Sequence, residues 1–141
     1  MKSFWKISAA TMVFVLGSAV TAMAQIDNEM DFTTSFPFYA QNTKLPAGSY
    51  TIRQTDIDVN ELLIESTDHK YATFLDFTPT QSDEPHKHSD VTFHKYGDVE
   101  YLNRIWVEGQ QFGMQADPSK AETKAEAAGA PTEHSIEGKK H

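Results

Sequence analysis

The stretch VTFHKYGDVEYLNRIWV, residues Val91–Val107, predicts a β-hairpin around which the rest of the chain can be arranged. β-Branched and aromatic residues fill both arms, and Gly97-Asp98 lies between them as a two-residue loop. Glycine at the first central position predicts a type II′ turn, because that position needs a positive φ. The loop fixes the register and sets opposite charges face to face at Lys95 and Glu100. The other facing pairs are Tyr96–Val99, His94–Tyr101 and Phe93–Leu102.

Short extended segments recur along the rest of the chain at a spacing of roughly ten residues, which is typical of all-β domains. Residues Phe32–Tyr39 alternate with an aromatic face, and Pro37 marks that strand as an edge strand or a bulged one. Further segments are Ser49–Gln54, Glu61–Ser66, Tyr71–Phe77 and a short last strand near Phe112–Gln115. We therefore predict an all-β fold, a single antiparallel β-sandwich or small barrel of about seven strands.

Residues 1–24 have the features of a signal peptide that is cleaved on export. A basic start with Lys2 and Lys6 precedes the apolar run Ile7–Leu16, and Ala22–Ala24 forms an A-x-A cleavage site. The sequence contains no cysteine, which excludes a disulfide framework and a lipid-anchoring cysteine. We expect a periplasmic or secreted protein of a bacterium.

The composition changes after the last predicted strand. Residues 30–116 should form the β-domain, whereas residues 117–141 are rich in alanine, lysine and glutamate and are interrupted by glycine and proline. Ser119 could cap a short helix with Glu122 three residues later, but that helix would have no apolar face. We therefore predict a disordered tail over residues 117–141.

The charge of the mature chain limits its partners. Of the 12 basic residues, Lys2 and Lys6 belong to the signal peptide, so the mature chain keeps 10 against 20 acidic residues, a net charge of −10. Nucleic acid and anionic lipid both require clustered lysine and arginine, so we expect neither as a partner. No second apolar stretch follows the signal peptide, and we expect no membrane span. The oligomeric state stays open.

Histidine is the residue type that could carry a metal site. His86 and His88 flank Lys87 in the polar stretch Thr78–Asp90, which is long enough for a functional loop, and His94 lies on the next strand. Together they could bind zinc, copper or nickel if a carboxylate joined them. The spacing matches no established metal motif, so the favoured interpretation has no metal and no cofactor, and the metal site is an alternative.

The sequence contains no serine elbow, no glycine-rich phosphate loop and no activated nucleophile, so we expect no enzyme. The favoured function is a structural or binding role at the bacterial cell envelope, with an envelope protein or a glycan as partner. A further alternative is a carbohydrate-binding module. Its sugar would stack on aromatic residues that otherwise belong to the core. These aromatic residues are Phe32, Phe36, Phe38, Phe74, Phe93 and Trp106.

The chain resembles a group of small exported proteins of soil bacteria that have no assigned activity. The resemblance is carried by LPAGSY at Leu45–Tyr50, FHKYGDVEYLNRIW at Phe93–Trp106 and a Ser-x-x-Glu at Ser119–Glu122. It spans most of the mature domain. Because its motifs are turn and core residues, it implies a common fold and no particular function.

Overall fold

The computed structural model describes residues 29–56 and 59–140, which form mostly β-structure. The predicted signal peptide, residues 1–24, lies outside the described residues. There are eleven strands and one helix: β1 (Glu29–Thr34), β2 (Phe38–Ala40), β3 (Thr43–Leu45), β4 (Gly48–Gln54), β5 (Glu61–Ser66), β6 (Ala72–Gln81), β7 (Asp90–Tyr96), β8 (Val99–Trp106), β9 (Phe112–Ala116), α1 (Lys120–Ala128), β10 (Thr132–Glu137) and β11 (Lys139–Lys140). Within the described residues, no helix has both the length and the apolar character needed to cross a membrane.

The strands belong to one sheet whose hydrogen-bonded path is not closed. The order along the path is β10-β7-β8-β9-β6-β5-β4-β1-β11, and the β2–β3 hairpin joins it at β8. All pairings are antiparallel except the short one between β2 and β8. The all-β prediction is confirmed, although the structure divides the chain into more strands than the predicted seven or so.

Two segments of the chain pair with more than one partner strand. The first half of β6, Ala72–Asp76, pairs with β5, whereas the second half, Phe77–Gln81, pairs with β9. Near the C-terminus, β10 pairs with β7 and β11 pairs with β1, and only Gly138 separates these two strands. The Gly138 N–H donates to the Ser89 carbonyl at 2.8 Å. Both ends of the path therefore lie on one short stretch of chain.

The β7–β8 hairpin has the predicted register, including Lys95 opposite Glu100 and Phe93 opposite Leu102. Gly97 has a φ of 60°, as its place in the turn requires. Although Lys95 lies opposite Glu100, the Glu100 carboxylate contacts the His134 Nε2 of β10 instead, at 2.7 Å. The register then shifts between Thr92 and Phe93, which forms a β-bulge beyond the predicted pairs.

The core is largely aromatic at its centre. Phe32, Phe38, Tyr50 and Phe93 are buried, and neighbouring ring centroids lie 5.3–6.3 Å apart. Trp106 is buried as predicted, and Phe36 packs against the edge of the core. The prediction is wrong for Phe74, which is 55% exposed.

Residues 117–140 are part of the fold, so the predicted tail over 117–141 and the predicted domain end at residue 116 need correction. Ser119 caps α1 as expected, because its Oγ accepts a hydrogen bond from the Glu122 N–H at 3.1 Å. All six residues of β10 then pair with β7. The sequence lacks an apolar face in this segment, which is why a disordered tail was expected. An edge strand, however, is held by the hydrogen bonds of its ladder, and in β10 the side chain that packs against the core is Ile136.

Two of the additional strands, β2 and β3, lie in the N-terminal half of the chain. The predicted strand Phe32–Tyr39 is broken before Phe38, and the following residues form the β2–β3 hairpin with Gln41 at a φ of 53°. Strand β6 continues to Gln81 through Pro79, within the predicted long loop. Pro79 is tolerated because this half of β6 pairs on one side only, with β9.

Replacing Ile136 tests whether the C-terminal segment is ordered. Ile136→Ala should lower the free energy of unfolding by about 1–2 kcal/mol, because it removes a partly buried side chain from the core edge. The control is Ser135→Ala at the exposed neighbouring position, which should have almost no effect. Chemical denaturation of the mature chain measures both. A disordered tail would make the two variants equally stable.

Replacing Gly113 tests the packing of Trp106 on β9. A Cβ at Gly113 would lie 2.7 Å from the Trp106 Cζ3 and 2.9 Å from the Ile105 carbonyl oxygen. Gly113→Ala should therefore destabilise the domain by about 1–3 kcal/mol through overpacking. Gly129→Ala is the matched control, since nothing lies within 4 Å of the added methyl group. Equal unfolding midpoints for the two variants would contradict this packing.

Candidate functional site

The loop between β6 and β7 carries His86 and His88 and is held against the turn that precedes β9. The His86 N–H donates to the Gln110 carbonyl at 3.1 Å, and the Gly109 N–H donates to the His86 carbonyl at 2.8 Å. The Ser82 N–H donates to the Gln111 carbonyl at 2.9 Å. Because three backbone hydrogen bonds tie it down, this predicted functional loop has an ordered path.

The His86 ring packs on the indole of Trp106, with ring centroids 4.2 Å apart and planes inclined by 17°. Asp90 lies at the start of β7, where burial raises the pKa of its carboxyl while His86 and His88 oppose that rise. The His86 Nε2 and the Asp90 Oδ1 are buried and have no hydrogen-bond partner among the described residues. His86, His88 and Asp90 therefore lie near one another at the start of β7, in a polar corner of the domain.

His94 lies elsewhere. It follows Asp90 by four residues along β7, and a strand advances about 3.3 Å per residue, so it lies about 13 Å from that corner. Its Nε2 is 2.8 Å from the Glu133 Oε2 and 3.0 Å from the amide of Asn103. The structure does not bring His86, His88 and His94 together. In residues 29–56 and 59–140, no group of three histidine or carboxylate side chains could hold a metal ion.

A larger group of polar side chains surrounds His94, on the outer face of β7, β8 and β9. The β-bulge next to Thr92 places Asn103 and Arg104 side by side on this face, while Leu102 and Ile105 remain in the core. Bulges commonly reorient side chains in this way near functional sites. The polar side chains are therefore gathered by the backbone rather than scattered over the sheet.

Helix α1 lies over this face and encloses a cleft of about 200 Å³. We call it the helix–sheet cleft. Its lining comes from three strands, the helix and the segments that flank the helix: His94, Tyr96, Asn103, Arg104, Gln115, Ala116, Pro118, Glu122, Glu126 and Pro131. Most of these side chains are polar, so the cleft is suited to a ligand that forms hydrogen bonds.

Asp117 and the Ser119 cap fix the start of α1. The Asp117 N–H donates to the Asp76 carbonyl at 2.9 Å, and its Oδ1 accepts from the Thr78 hydroxyl at 2.7 Å. The Gln41 amide donates to the Asp117 carbonyl at 3.2 Å. These contacts place the first turn of the helix over the sheet without an apolar face.

Glu122 projects from this first turn and is 8% exposed. Burial raises the pKa of its carboxyl, Glu126 raises it further, and nearby His94 opposes the rise. Within the described residues, the carboxylate forms no hydrogen bond and no ion pair. The Glu122 oxygens still reach the solvent of the cleft, so the carboxylate is available as an acceptor for a bound molecule.

His94 is already engaged on both sides of its Nε2. The Glu133 Oε2 and the Asn103 Nδ2 both contact this one ring nitrogen. An amide nitrogen only donates, so Nε2 accepts from Asn103 when it carries no proton and donates to Glu133 when it carries one. This arrangement directs the Asn103 amide group within the cleft and leaves His94 as a positioning residue.

Arg104 and Gln115 form the sheet side of the cleft. The Arg104 Nε donates to the Gln115 Oε1 at 3.4 Å, and no carboxylate of the described residues forms an ion pair with Arg104. A guanidinium carries five N–H donors, so Arg104 can offer several to a bound molecule. The sheet side is therefore rich in donors, whereas the helix side carries an acceptor.

Tyr96 lies at the mouth of the cleft. Its ring also borders a shallower hollow of about 290 Å³ that continues beyond the C-terminal half of α1. Burial, followed by Glu122 and Glu126, raises the pKa of the Tyr96 phenol. Tyr96 packs edge-on against Tyr101 at 5.9 Å. An aromatic surface thus connects the cleft to the open hollow.

The structure offers no row of exposed rings as a binding platform. On the described part of the chain, the exposed large apolar side chains are Val59, Tyr71, Phe74 and Val99. Phe74 pairs with Leu63 on the outer face of β6 and β5, away from the helix–sheet cleft. The aromatic side chain that does line a polar site is Tyr96, which the sequence analysis did not single out.

Comparison with protein-family models, with curated proteins and with solved structures found no match. The resemblance to small exported bacterial proteins therefore stays a prediction. The assignment of function rests on the geometry of the helix–sheet cleft.

The pKa of Glu122 predicts how stability depends on pH. Because its folded-state pKa is raised, the folded protein binds more protons than the unfolded chain above the ordinary carboxyl value of 4.5. Stability should therefore fall as the pH rises through the raised pKa. Glu122→Gln should flatten this decline, and Asp90, whose pKa is also raised by burial, should account for part of what remains.

Denaturation midpoints measured at several pH values test this expectation. Glu84→Gln is the matched control, since that residue is exposed and does not contribute to the raised pKa of Glu122 or of Asp90. An identical pH profile for Glu122→Gln and the unchanged protein would show that the Glu122 carboxyl is solvated.

Proposed function

We propose that this protein is an exported, non-enzymatic binding domain of the bacterial cell envelope and that it holds a saccharide in the helix–sheet cleft. Export is inferred from the basic start, apolar run and A-x-A site of residues 1–24. The single observation that supports saccharide binding is the set of planar polar side chains around the cleft.

Sugar hydroxyls both donate and accept hydrogen bonds, so a site for them needs both kinds of partner at short range. Arg104 supplies donors only, Glu122 supplies an acceptor, and the amides of Asn103 and Gln115 supply both. Amide and guanidinium groups are planar and keep their donors in fixed directions, which favours a ligand with several hydroxyl groups. An apolar ligand would leave these groups unsatisfied.

The size and the mouth of the cleft suit one or two sugar rings. Sites for drug-sized molecules measure about 300–1,000 Å³, so a cleft of about 200 Å³ fits a smaller ligand. The Tyr96 ring stands at its opening and could pack against the C–H face of a sugar. The adjoining hollow leaves room for a chain of sugars to continue into solvent.

The charge of the protein favours a ligand that is not an anion. The mature chain has a net charge of −10, and Glu122, Glu126 and Glu133 lie at or beside the cleft. Nucleic acids and other polyanions would be repelled. A glycan without acidic groups would approach without this penalty.

The lining favours binding over catalysis. Within the described residues, it contains no serine, threonine or lysine, and burial raises the pKa of the Tyr96 phenol away from the physiological range. His94 is committed to Glu133 and Asn103 and does not face a candidate nucleophile. The residues of the cleft can therefore hold a ligand but lack the parts of an acyl- or phosphoryl-transfer site.

The same proposal treats the fold as a two-layer β-sandwich. One layer would contain β1, β4, β5 and the first half of β6, and the other the second half of β6 with β9, β8, β7 and β10. The two segments that change partners would be its corners. The helix–sheet cleft would then lie outside the second layer, where a ligand does not compete with the core.

Substitution of the cleft arginine tests saccharide binding. Arg104→Gln should weaken binding of a monosaccharide such as glucose by about tenfold, because it removes charge-assisted donors. Heteronuclear NMR titration of the mature chain gives both the affinity and the resonances that shift. The expected shifts are at Tyr96, Asn103 and Gln115.

Arg53→Gln is the matched control, because Arg53 lies on β4, pairs with Glu29 of β1 and Glu65 of β5, and does not line the cleft. It should leave sugar binding unchanged. Saccharide binding would be refuted if no sugar shifted the resonances of the cleft, or if the two arginine variants lost affinity equally.

A further inference from the structure

Glu122 presents an unmet charge to the helix–sheet cleft. It is 8% exposed and lines the cleft, and its carboxylate has no hydrogen-bond or ion-pair partner in the described chain. A neutral hydroxyl would give it a hydrogen bond but would leave its charge uncompensated. The full complement to a carboxylate that lines the cleft without a partner is a positively charged donor.

The groups around Glu122 add to its negative potential. Glu126 follows it by one turn of α1 and raises the pKa of its carboxyl. From the sheet, Tyr96 and Tyr101 come near enough for Glu122 to raise the pKa of both phenols, after the effect of burial. Aromatic faces attract cations, so Tyr96, which lines the cleft, favours the same ligand charge as the carboxylates.

Neither of the two basic side chains that line the cleft, His94 and Arg104, forms an ion pair with Glu122. His94 lies close to Glu122, but its Nε2 is bonded to the Glu133 carboxylate at 2.8 Å. Arg104 lines the sheet side of the cleft, where its Nε is bonded to Gln115, and it forms no ion pair with Glu122. An anionic ligand would be repelled by the carboxylates of Glu122 and Glu126.

We propose that the ligand is an amino sugar with a free, protonated amino group, and that this group binds the Glu122 carboxylate. The proposal rests on the saccharide-binding function assigned to the cleft. The ammonium group lies on the helix side near Glu122, while Arg104, Asn103 and Gln115 bind the hydroxyls from the sheet side. An acetylated amino group carries no charge and satisfies Glu122 no better than a hydroxyl.

Binding of three related monosaccharides to the mature chain tests the proposal. Glucosamine should bind about tenfold or more tightly than glucose and N-acetylglucosamine, because a hydrogen bond between charged groups is stronger than a neutral one. Glu122→Gln should reduce the affinity for glucosamine to within about twofold of that for glucose, since it keeps the shape and removes the charge. NMR titration gives the affinities.

Two controls separate this effect from unfolding and from general attraction of cations. Glu84→Gln removes a carboxylate from the exposed loop and should retain the preference for glucosamine. Arg104→Gln should weaken glucose and N-acetylglucosamine and should not reduce the preference for glucosamine, since it removes hydroxyl donors and a positive charge. Melting curves show that each variant is folded at the temperature of the titration.

The preference should also depend on pH. Glu122 faces Glu126 on its own helix, His94 and Tyr96 on β7, and Tyr101 on β8, with Arg104 in the same cleft. Because burial raises the pKa of Glu122, glucosamine should bind less tightly at about pH 5 than at about pH 7, where more of this carboxylate is charged. Glu122→Gln should remove that difference.

The outcomes distinguish the ligand class from the site. If glucose, N-acetylglucosamine and glucosamine bind in the cleft with equal affinity, the preference for amino sugars is refuted and saccharide binding stands. If none of them binds, both proposals fail. If glucosamine is preferred but Glu122→Gln keeps the preference, the assignment of the ammonium group to Glu122 is refuted.

Discussion

The fold depends on an aromatic interior to which four strands contribute. Phe32 and Tyr50 are neighbours on the paired strands β1 and β4, and Phe38 of β2 and Phe93 of β7 contact them from strands that pair with neither. Strand β6 connects the ladders by pairing with β5 and then with β9. The segment around Gly138 connects β7 with β1. Because the protein contains no cysteine, this interior and the strand ladders hold the domain without cross-links.

The same constraint leaves a polar outer face on which a site can be built. Alternation along β7, β8 and β9 sends one set of side chains to the core and the other outward. The β-bulge at Thr92 adds Asn103 to the outward set next to Arg104. Helix α1 then covers the face through its Ser119 cap and the Asp117 contacts. The sheet side of the cleft thus consists mostly of the outward side chains of strands whose other face builds the core, whereas α1 adds no residue to that core.

Local patterns predicted from the sequence what depends on local chemistry. The register of the β7–β8 hairpin follows from a two-residue loop with glycine first, and the Ser119 cap follows from Ser-x-x-Glu. The order of residues 117–140 could not be predicted in this way, because β10 is held by the β7 ladder and its side chains give little apolar signal. For a related reason, the sequence did not predict that Arg104 and Gln115 line a site. A polar residue on a strand is expected to be exposed to solvent unless a helix is known to cover it. The three histidines were noticed for their residue type, and no spacing rule could show that β7 holds His94 far from His86.

The contacts of Glu122 distinguish a role in capping the helix from a role in binding a ligand. In a capping box, the glutamate three residues after the capping serine reaches back to the N–H of that serine, which accounts for its place in the sequence. Here Ser119 accepts from the Glu122 N–H, but in the described structure the Glu122 carboxylate does not return to the Ser119 N–H. The side chain is instead buried over the sheet, where the desolvation that raises its pKa costs stability. Capping requires only the serine for this helix, and the carboxylate lines the helix–sheet cleft instead. In the proposed complex, a positively charged ligand group would give it a partner and offset that cost.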